Sequence, residues 1–271
     1  MRPVDLYAEI ARMHRDGVTG VVATVVSVGG STPRGAGAKM IVYADGRTLG
    51  TVGGGAVESA VIERAKALAG SRDPVLLSFD LGPDVGMACG GRMDVFLEPV
   101  SAGARAVVIG GGHCGQAVAA AARQAGFRVT VVDDREDMVT AERFPGAERR
   151  VAGGVEAVGW LGIDGETFVV VVTRGHRFDQ EWVKAVLPFA PRYLGMIGSE
   201  EKVRASFAGL ARDGVPAEAI ERVHAPIGLD IGAETPEEIA VSVVAEMIAV
   251  RHGVRDTVML RDKPGRKGKD R

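Results

Sequence analysis

The segment that most constrains this chain runs from residue 105 to residue 133. Arg105-Ala-Val-Val-Ile109 reads as a short buried strand, and it leads directly into Gly110-Gly111-Gly112-His113-Cys114-Gly115. A helix is predicted over 116–124, then a second strand over 128–132 that closes on Asp133. Strand, G-x-G-x-x-G, helix, strand and an acid about twenty residues on make up the dinucleotide-binding fingerprint. The physical reasons are local. Gly110 permits the tight turn, Gly112 lets backbone N–H groups approach a phosphate, and Gly115 lets the helix pack close to the strand. The helix N-terminus then favours an anion. Asp133 is placed to accept hydrogen bonds from a ribose or a similar diol. The fingerprint implies a phosphate or diphosphate ligand without naming a nicotinamide cofactor. His113 reads either as a neighbour of that phosphate or as a locally bonded helix-start residue. Cys114 reads as a packed small residue.

The alternation continues beyond the fingerprint. Strands are predicted at 168–173 and 193–197, and helices at 179–187 and 199–212. Strand and helix in turn predict a parallel sheet covered by helices. A last helix starts at Thr235-Pro236-Glu237-Glu238, with a threonine cap, proline at the first helical position and glutamate three after the cap. The first hundred residues have a different rhythm. A helix is predicted over 3–16, strands over 21–26 and 38–43, a hairpin at Asp45-Gly46 with 47–52 pairing back, a helix over 56–69, and strands over 75–79 and 93–97. The fold class is therefore α/β: an N-terminal α+β domain, 1–100, then a Rossmann-like parallel-sheet domain, 105–255. A small, uncharged linker joins them near 100–104, and 256–271 forms a C-terminal strand and basic tail.

Charge and hydropathy exclude several classes. The 33 basic and 35 acidic residues leave a net charge of −2, which makes no global case for nucleic acid or an anionic membrane. No apolar stretch reaches the eighteen or so residues that a membrane span needs. Asp5 stands where a signal peptide would be apolar, so the expected location is cytoplasmic. Cys89 and Cys114 have no CxxC partner, and a disulfide framework is not expected.

Glycine occurs 38 times, about twice its usual share of roughly 7%. It clusters where backbone would turn tightly or approach a ligand. Gly29 to Gly37 contains a single cation, Arg34, which reads as an anion-binding fork or as a solvated arginine in a wide hairpin. Gly53-Gly54-Gly55 precedes a helix and forms a second candidate anion cradle, where Glu58 lines the site or complements the helix dipole. Cys89 lies in a glycine-rich loop beside Arg92, a setting that suits a reactive thiol or a soft metal ligand as well as a buried structural cysteine. His176 follows a buried strand at a position where open α/β sheets bind ligands. The 224–235 loop holds His224, Asp230 and Glu234, and His176, Asp230 and Glu234 form a candidate second-domain site. There is no P-loop lysine, HExxH or GxSxG motif.

Together these segments resemble the XdhC/CoxI family of xanthine dehydrogenase accessory proteins. The resemblance rests on Gly30-Ser-Thr-Pro-Arg-Gly35, Gly50-Thr-Val-Gly-Gly-Gly55 with Glu58, and Cys89-Gly-Gly-Arg92. In the second half it rests on Gly110–Gly115 with Asp133-Asp-Arg135, Arg143-Phe-Pro145, Tyr193-Leu-Gly195 with Gly198-Ser199, and Ala225-Pro-Ile-Gly-Leu-Asp-Ile-Gly-Ala-Glu-Thr-Pro-Glu-Glu238. It spans nearly the whole chain in order. It implies an XdhC/CoxI domain followed by a Rossmann domain. It also implies a chaperone that binds the molybdenum cofactor (molybdopterin), supports its sulfuration and inserts it into an apo molybdenum hydroxylase of the xanthine dehydrogenase type. A cysteine desulfurase supplies the sulfur. On this reading the cofactor is held by Arg34, Gly53, Gly54, Gly55, Glu58, Cys89, Gly110, Gly112, His113, Gly115 and Asp133. Cys89 stands near the molybdenum, and the Rossmann loop takes a nucleotide where the cofactor carries one. Cys114 departs from the residues expected at its position and is given no shared role. The resemblance favours an accessory protein over an independent enzyme. The alternative is an NAD(P)-dependent oxidoreductase using the Rossmann domain, with His176 or His224 in its chemistry. A homodimer is the commonest assembly for such chains.

Overall fold

The computed structural model describes residues 6–68, 70, 71, 73–81, 90–100, 103–254 and 257, without the side chains of His176 and Arg177. Cys89, most of the 82–91 loop and nearly all of the 256–271 tail lie outside the described residues. The chain divides into two compact units, Met1–Gly103 and Ala104–Arg271.

In the first unit, α1 (Leu6–Asp16) precedes β1 (Gly20–Gly29), β2 (Lys39–Tyr43), β3 (Thr48–Gly50), α2 (Gly55–Leu68), β4 (Val75–Leu81) and β5 (Gly91–Val100). The strands form one antiparallel sheet in the order β3-β2-β1-β5-β4. Side chains alternate across a strand, and β1 uses both of its faces. Val21, Ala23 and Val25 pack with Val57, Val61, Ala65 and Leu68 of α2. Val22 points the other way and packs with Ile41, Tyr43, Val100 and Met13 of α1. A register shift between Val25 and Ser27 carries β1 on to Gly29, past the expected end at 26. The Asp45-Gly46 hairpin forms as expected, with Gly46 at φ +86°.

The second unit contains β6 (Arg105–Ile109), α3 (His113–Gln124), β7 (Arg128–Asp133), β8 (Glu148–Val151), β9 (Thr167–Val171), α4 (His176–Val186), β10 (Tyr193–Met196), α5 (Glu200–Arg212), α6 (Ala217–Ile220), β11 (Val223–His224) and α7 (Pro236–Arg251). All six strands are parallel, in the order β11-β10-β9-β6-β7-β8. The chain winds outward from β6 to β8 and then returns to β9 on the other side of β6. Strand order therefore reverses between β6 and β9, the switch point at which such sheets bind ligands. Both faces are covered, which is why β6 and β9 read as continuous apolar runs. Val118, Ala122, Val243 and Met247 of α3 and α7 pack on Val108, Val131 and Val170. Val183, Val186, Val203 and Leu210 of α4 and α5 pack on Val107, Val169 and Val171.

The structure corrects several element boundaries. β8 has no counterpart among the expected strands, because Glu148-Arg149-Arg150-Val151 is an edge strand exposed at all four positions and carries no apolar alternation. β11 has only two residues. α3 and α4 start three residues earlier than expected, at His113 and His176, because their N-caps are Gly112 and Gly175 with no side-chain cap to mark them. The capped helices agree with the sequence: Ser199 accepts from Lys202 N, and Thr235 with Glu238 completes a capping box. Among the described residues no helix is long and apolar enough to cross a membrane.

Candidate functional site

The glycine loop sits at the C-terminal end of β6, at the switch point. A Cβ on Gly110 would lie 2.3 Å from the Val172 carbonyl oxygen, and one on Gly115 would lie 1.8 Å from the Gly110 carbonyl oxygen. The chain's own packing therefore demands glycine at both positions. Gly112 differs. Its φ is −68°, open to any residue, and nothing stands within 4 Å of where its Cβ would be. Folding does not require glycine there. The first turn of α3 starts from Gly112 with no side-chain cap. His113 is exposed at the start of this turn. Cys114 is half-buried; burial, then the nearby Glu237 carboxylate, push its thiol pKa up, which keeps it protonated and unreactive.

Asp133 ends β7 beside the loop with its side chain 5% exposed. One carboxylate oxygen, Oδ1, accepts from Arg135 N at 3.0 Å and Arg135 Nε at 2.9 Å. The other, Oδ2, accepts from Gly111 N at 2.7 Å and Arg135 Nη2 at 3.1 Å. A carboxylate has about four lone-pair sites, so every acceptor position of Asp133 is filled from within the chain. Burial alone would raise its pKa, but the Arg135 side chain, the Gly111 N–H and the Arg135 N–H outweigh it and hold the group at about 2. Beyond these residues opens a small cleft of about 80 Å³ lined by Gly110, Asp133, Asp134, Gly153, Arg174 and Trp182, among others. Arg174 pairs with Asp134 at 2.6 Å. At the end of β9, Thr173 donates to Asp179 through its N–H at 3.0 Å and its hydroxyl at 2.6 Å, which closes the turn into α4.

The other candidates of the second unit lie elsewhere. Asp230 and Glu234 are on the loop before α7 and do not line the cleft. Sequence reading misses Glu246, on α7. It accepts from the Tyr193 hydroxyl at 2.5 Å and Gly228 N at 2.9 Å, and lies 2.9 Å from His224 Nδ1. Burial opposes its ionised form, but those donors, His224 first, hold its pKa below the ordinary value. An acid inside the apolar run Val243-Val-Ala-Glu-Met-Ile-Ala-Val250 is the available signal. Among the described residues no three His, Cys, Asp or Glu side chains gather as metal ligands.

In the first unit, three glycine-rich segments meet. A Cβ on Gly53 would lie 2.7 Å from Pro33 Cγ, and one on Gly91 would lie 2.2 Å from the Ser31 carbonyl oxygen. Ser31 bridges Gly90. The 30–35, 50–55 and 90–92 segments, separate in sequence, thus touch in space. Arg34 is exposed on the first of them and makes no ion pair among the described residues. Glu58 accepts from Gly54 N at 3.0 Å and from the Thr51 hydroxyl, while Thr51 Oγ1 accepts from Gly53 N at 3.1 Å. It closes the loop at the start of α2.

Comparison with known proteins places these features in one family. Residues 106–247, over half the chain, match the XdhC Rossmann domain, and residues 13–80 match the XdhC and CoxI family. The uncharacterized protein YqeB of Escherichia coli is 35% identical over 95% of this chain, which spans only 48% of YqeB's length. A probable xanthine dehydrogenase subunit of Bacillus subtilis is 24% identical, covering 86% of this chain and 94% of its own. The molybdenum cofactor insertion chaperone PaoD of E. coli is 26% identical, covering 85% of this chain and 83% of its own. The crystal structure of a xanthine dehydrogenase from Bacillus halodurans shares the fold, with a TM-score of 0.53, 23% identity and coverage of 94% of this chain and 97% of that one. The chain belongs to the XdhC and CoxI family.

Proposed function

We propose that this chain is an accessory protein of molybdenum hydroxylases, which binds the molybdenum cofactor, supports its sulfuration and inserts it into an apoenzyme of the xanthine dehydrogenase type. Family membership and the similarity to PaoD, an insertion chaperone, support the accessory reading. The observation that carries the binding site is the meeting of the 30–35, 50–55 and 90–92 segments beside Arg34, which has no ion pair among the described residues. The cofactor's phosphate suits a guanidinium fork and glycine-loop N–H groups. On this reading Arg34 holds the phosphate, Gly53 to Gly55 let the pterin approach the backbone, and Glu58 keeps that loop in shape. Cys89, next to Gly90 in sequence, supplies a soft thiol beside the metal. The bound group carries the molybdenum chemistry; the chain holds it, orients it and keeps water from it.

In the second unit, Gly112 and the first turn of α3 are the place for the diphosphate of a dinucleotide form of the cofactor. His113 borders it, and Asp133 meets the ribose once Arg135 moves away. His176, Asp230 and Glu234 are the candidate second site of this unit. The apo hydroxylase and a cysteine desulfurase are the expected partners, the protein works in the cytoplasm, and it assembles as a homodimer. The oxidoreductase reading has less support, because the acceptors of Asp133 are filled and His224 is tied through Nδ1 to Glu246.

A maturation assay tests the proposal. A client hydroxylase co-expressed with this chain should carry at least about tenfold more sulfurated, active cofactor than without it, a difference of about 1.4 kcal/mol in effective loading. Arg34→Ala should remove most of that gain. Equal client activity with and without the chain refutes the proposal.

A further inference from the structure

A second cavity lies on the outer side of α3, away from the switch-point cleft. It offers about 330 Å³ between α3 and the turn that follows Arg143, and its walls include Gln116, Ala119, Ala120, Arg123, Arg143 and Phe144. None of the residues lining it is acidic. Among the described residues its two arginines donate to backbone carbonyl oxygens alone: Arg143 Nη2 to Gly111 O at 2.9 Å, and Arg123 Nη1 to Pro145 O. Arg149 grips the same turn, donating from Nη1 to Ala147 O at 2.9 Å. None of the three has a carboxylate partner among the described residues. Arg135, Arg150, Arg174 and Arg192 of the same unit all do. Arg143 Nε is moreover buried with no acceptor among the described residues.

Two guanidinium groups, Arg123 and Arg143, line the one cavity, and each carbonyl bond offsets only part of a full charge. A counter-anion would supply the rest. The rest of the wall is apolar: Ala119, Phe144 and Ala147 are 2%, 2% and 7% exposed. We propose that this cavity is a binding site for a small molecule that carries an oxyanion, phosphate or carboxylate, on an apolar body. The guanidinium groups of Arg123 and Arg143 take the oxyanion, the Gln116 carboxamide flanks it, and the alanines and Phe144 take the body. Arg143 is tied to the Gly110–Gly115 loop through the Gly111 carbonyl oxygen, but the cavity's lining includes none of that loop's residues, and the site does not depend on the chaperone reading.

Calorimetric titration of the full chain with phenyl phosphate, and with benzoate in parallel, tests this. At least one probe should bind with a dissociation constant of about 1 mM or tighter. Inorganic phosphate, which lacks the apolar body, should bind more weakly. Which of the two probes binds better tells whether the natural oxyanion is a phosphate or a carboxylate. Arg143→Gln should weaken binding about tenfold. Ala120→Trp, at an exposed helix position, should fill the cavity and abolish binding while circular dichroism and melting stay unchanged. Gly112→Val should leave binding intact. Absence of binding by both probes, binding indifferent to Ala120→Trp, or loss in Gly112→Val instead each overturns the proposal.

Discussion

Asp133 and Arg135 show how much one residue can alter a motif. Strand, glycines and terminal acid predict a diol acceptor, and the strand and the acid are where the spacing puts them. The acid's lone pairs, however, are taken up by Arg135 and Gly111. Removing the arginine side chain frees two of the four acceptor positions. Arg135→Ala should therefore raise the affinity for a ribose-bearing dinucleotide about tenfold in a fluorescence titration, and unchanged affinity would show that the ribose does not reach Asp133. The same contacts give Asp133 a pH signature. Its pKa is about 2 when folded against an ordinary 3.8. A lowered pKa favours the fold above the unfolded value, and that contribution, on the order of 2 kcal/mol, fades as pH falls from about 4 towards 2. In urea titrations across that range, Asp133→Asn should flatten the loss of stability; an identical slope would contradict the assignment. The Asp-x-Arg spacing is present in the sequence, but which donors fill a carboxylate is decided by how the turn after β7 folds.

At the scale of elements, the glycines of the β6–α3 loop divide into those the fold needs and one it does not. Gly115→Ala sets a methyl against the Gly110 carbonyl and should cost more than about 3 kcal/mol or prevent folding. Gly112→Val enters open space and should melt like the parent while losing dinucleotide affinity. Equal melting of the two variants would undo this distinction. α7 is tied to the sheet through Glu246. Glu246→Ala leaves the buried Tyr193 hydroxyl and Gly228 N–H without their acceptor, and should cost about 2–4 kcal/mol in chemical denaturation. A loss under about 1 kcal/mol would mean that water replaces it. Elements with apolar periodicity or capping residues, such as β6, β9, α5 and α7, are legible in the sequence. β8 is not, because an edge strand needs charge rather than alternation, and neither are the starts of α3 and α4, where glycine leaves no cap to read.

For the whole molecule, the order of loops along the chain says more than any single motif. The antiparallel unit gathers its glycine-rich segments into one place, although those segments are distant in sequence. The strand–glycine loop–helix at Gly110–Gly115 is legible because its parts are local. The meeting of the 30–35, 50–55 and 90–92 segments is not, because it depends on the pairing of β1 with β5, and only the family resemblance links them beforehand. The central claim, that this chain carries the molybdenum cofactor, is tested most directly by its contents. Purified after co-expression with cofactor synthesis, the protein should hold about one molybdenum and one pterin per chain, and Arg34→Ala and Cys89→Ser should each retain far less. A protein that emerges without pterin and binds NAD at micromolar concentration in parallel would contradict the account and point to a dehydrogenase.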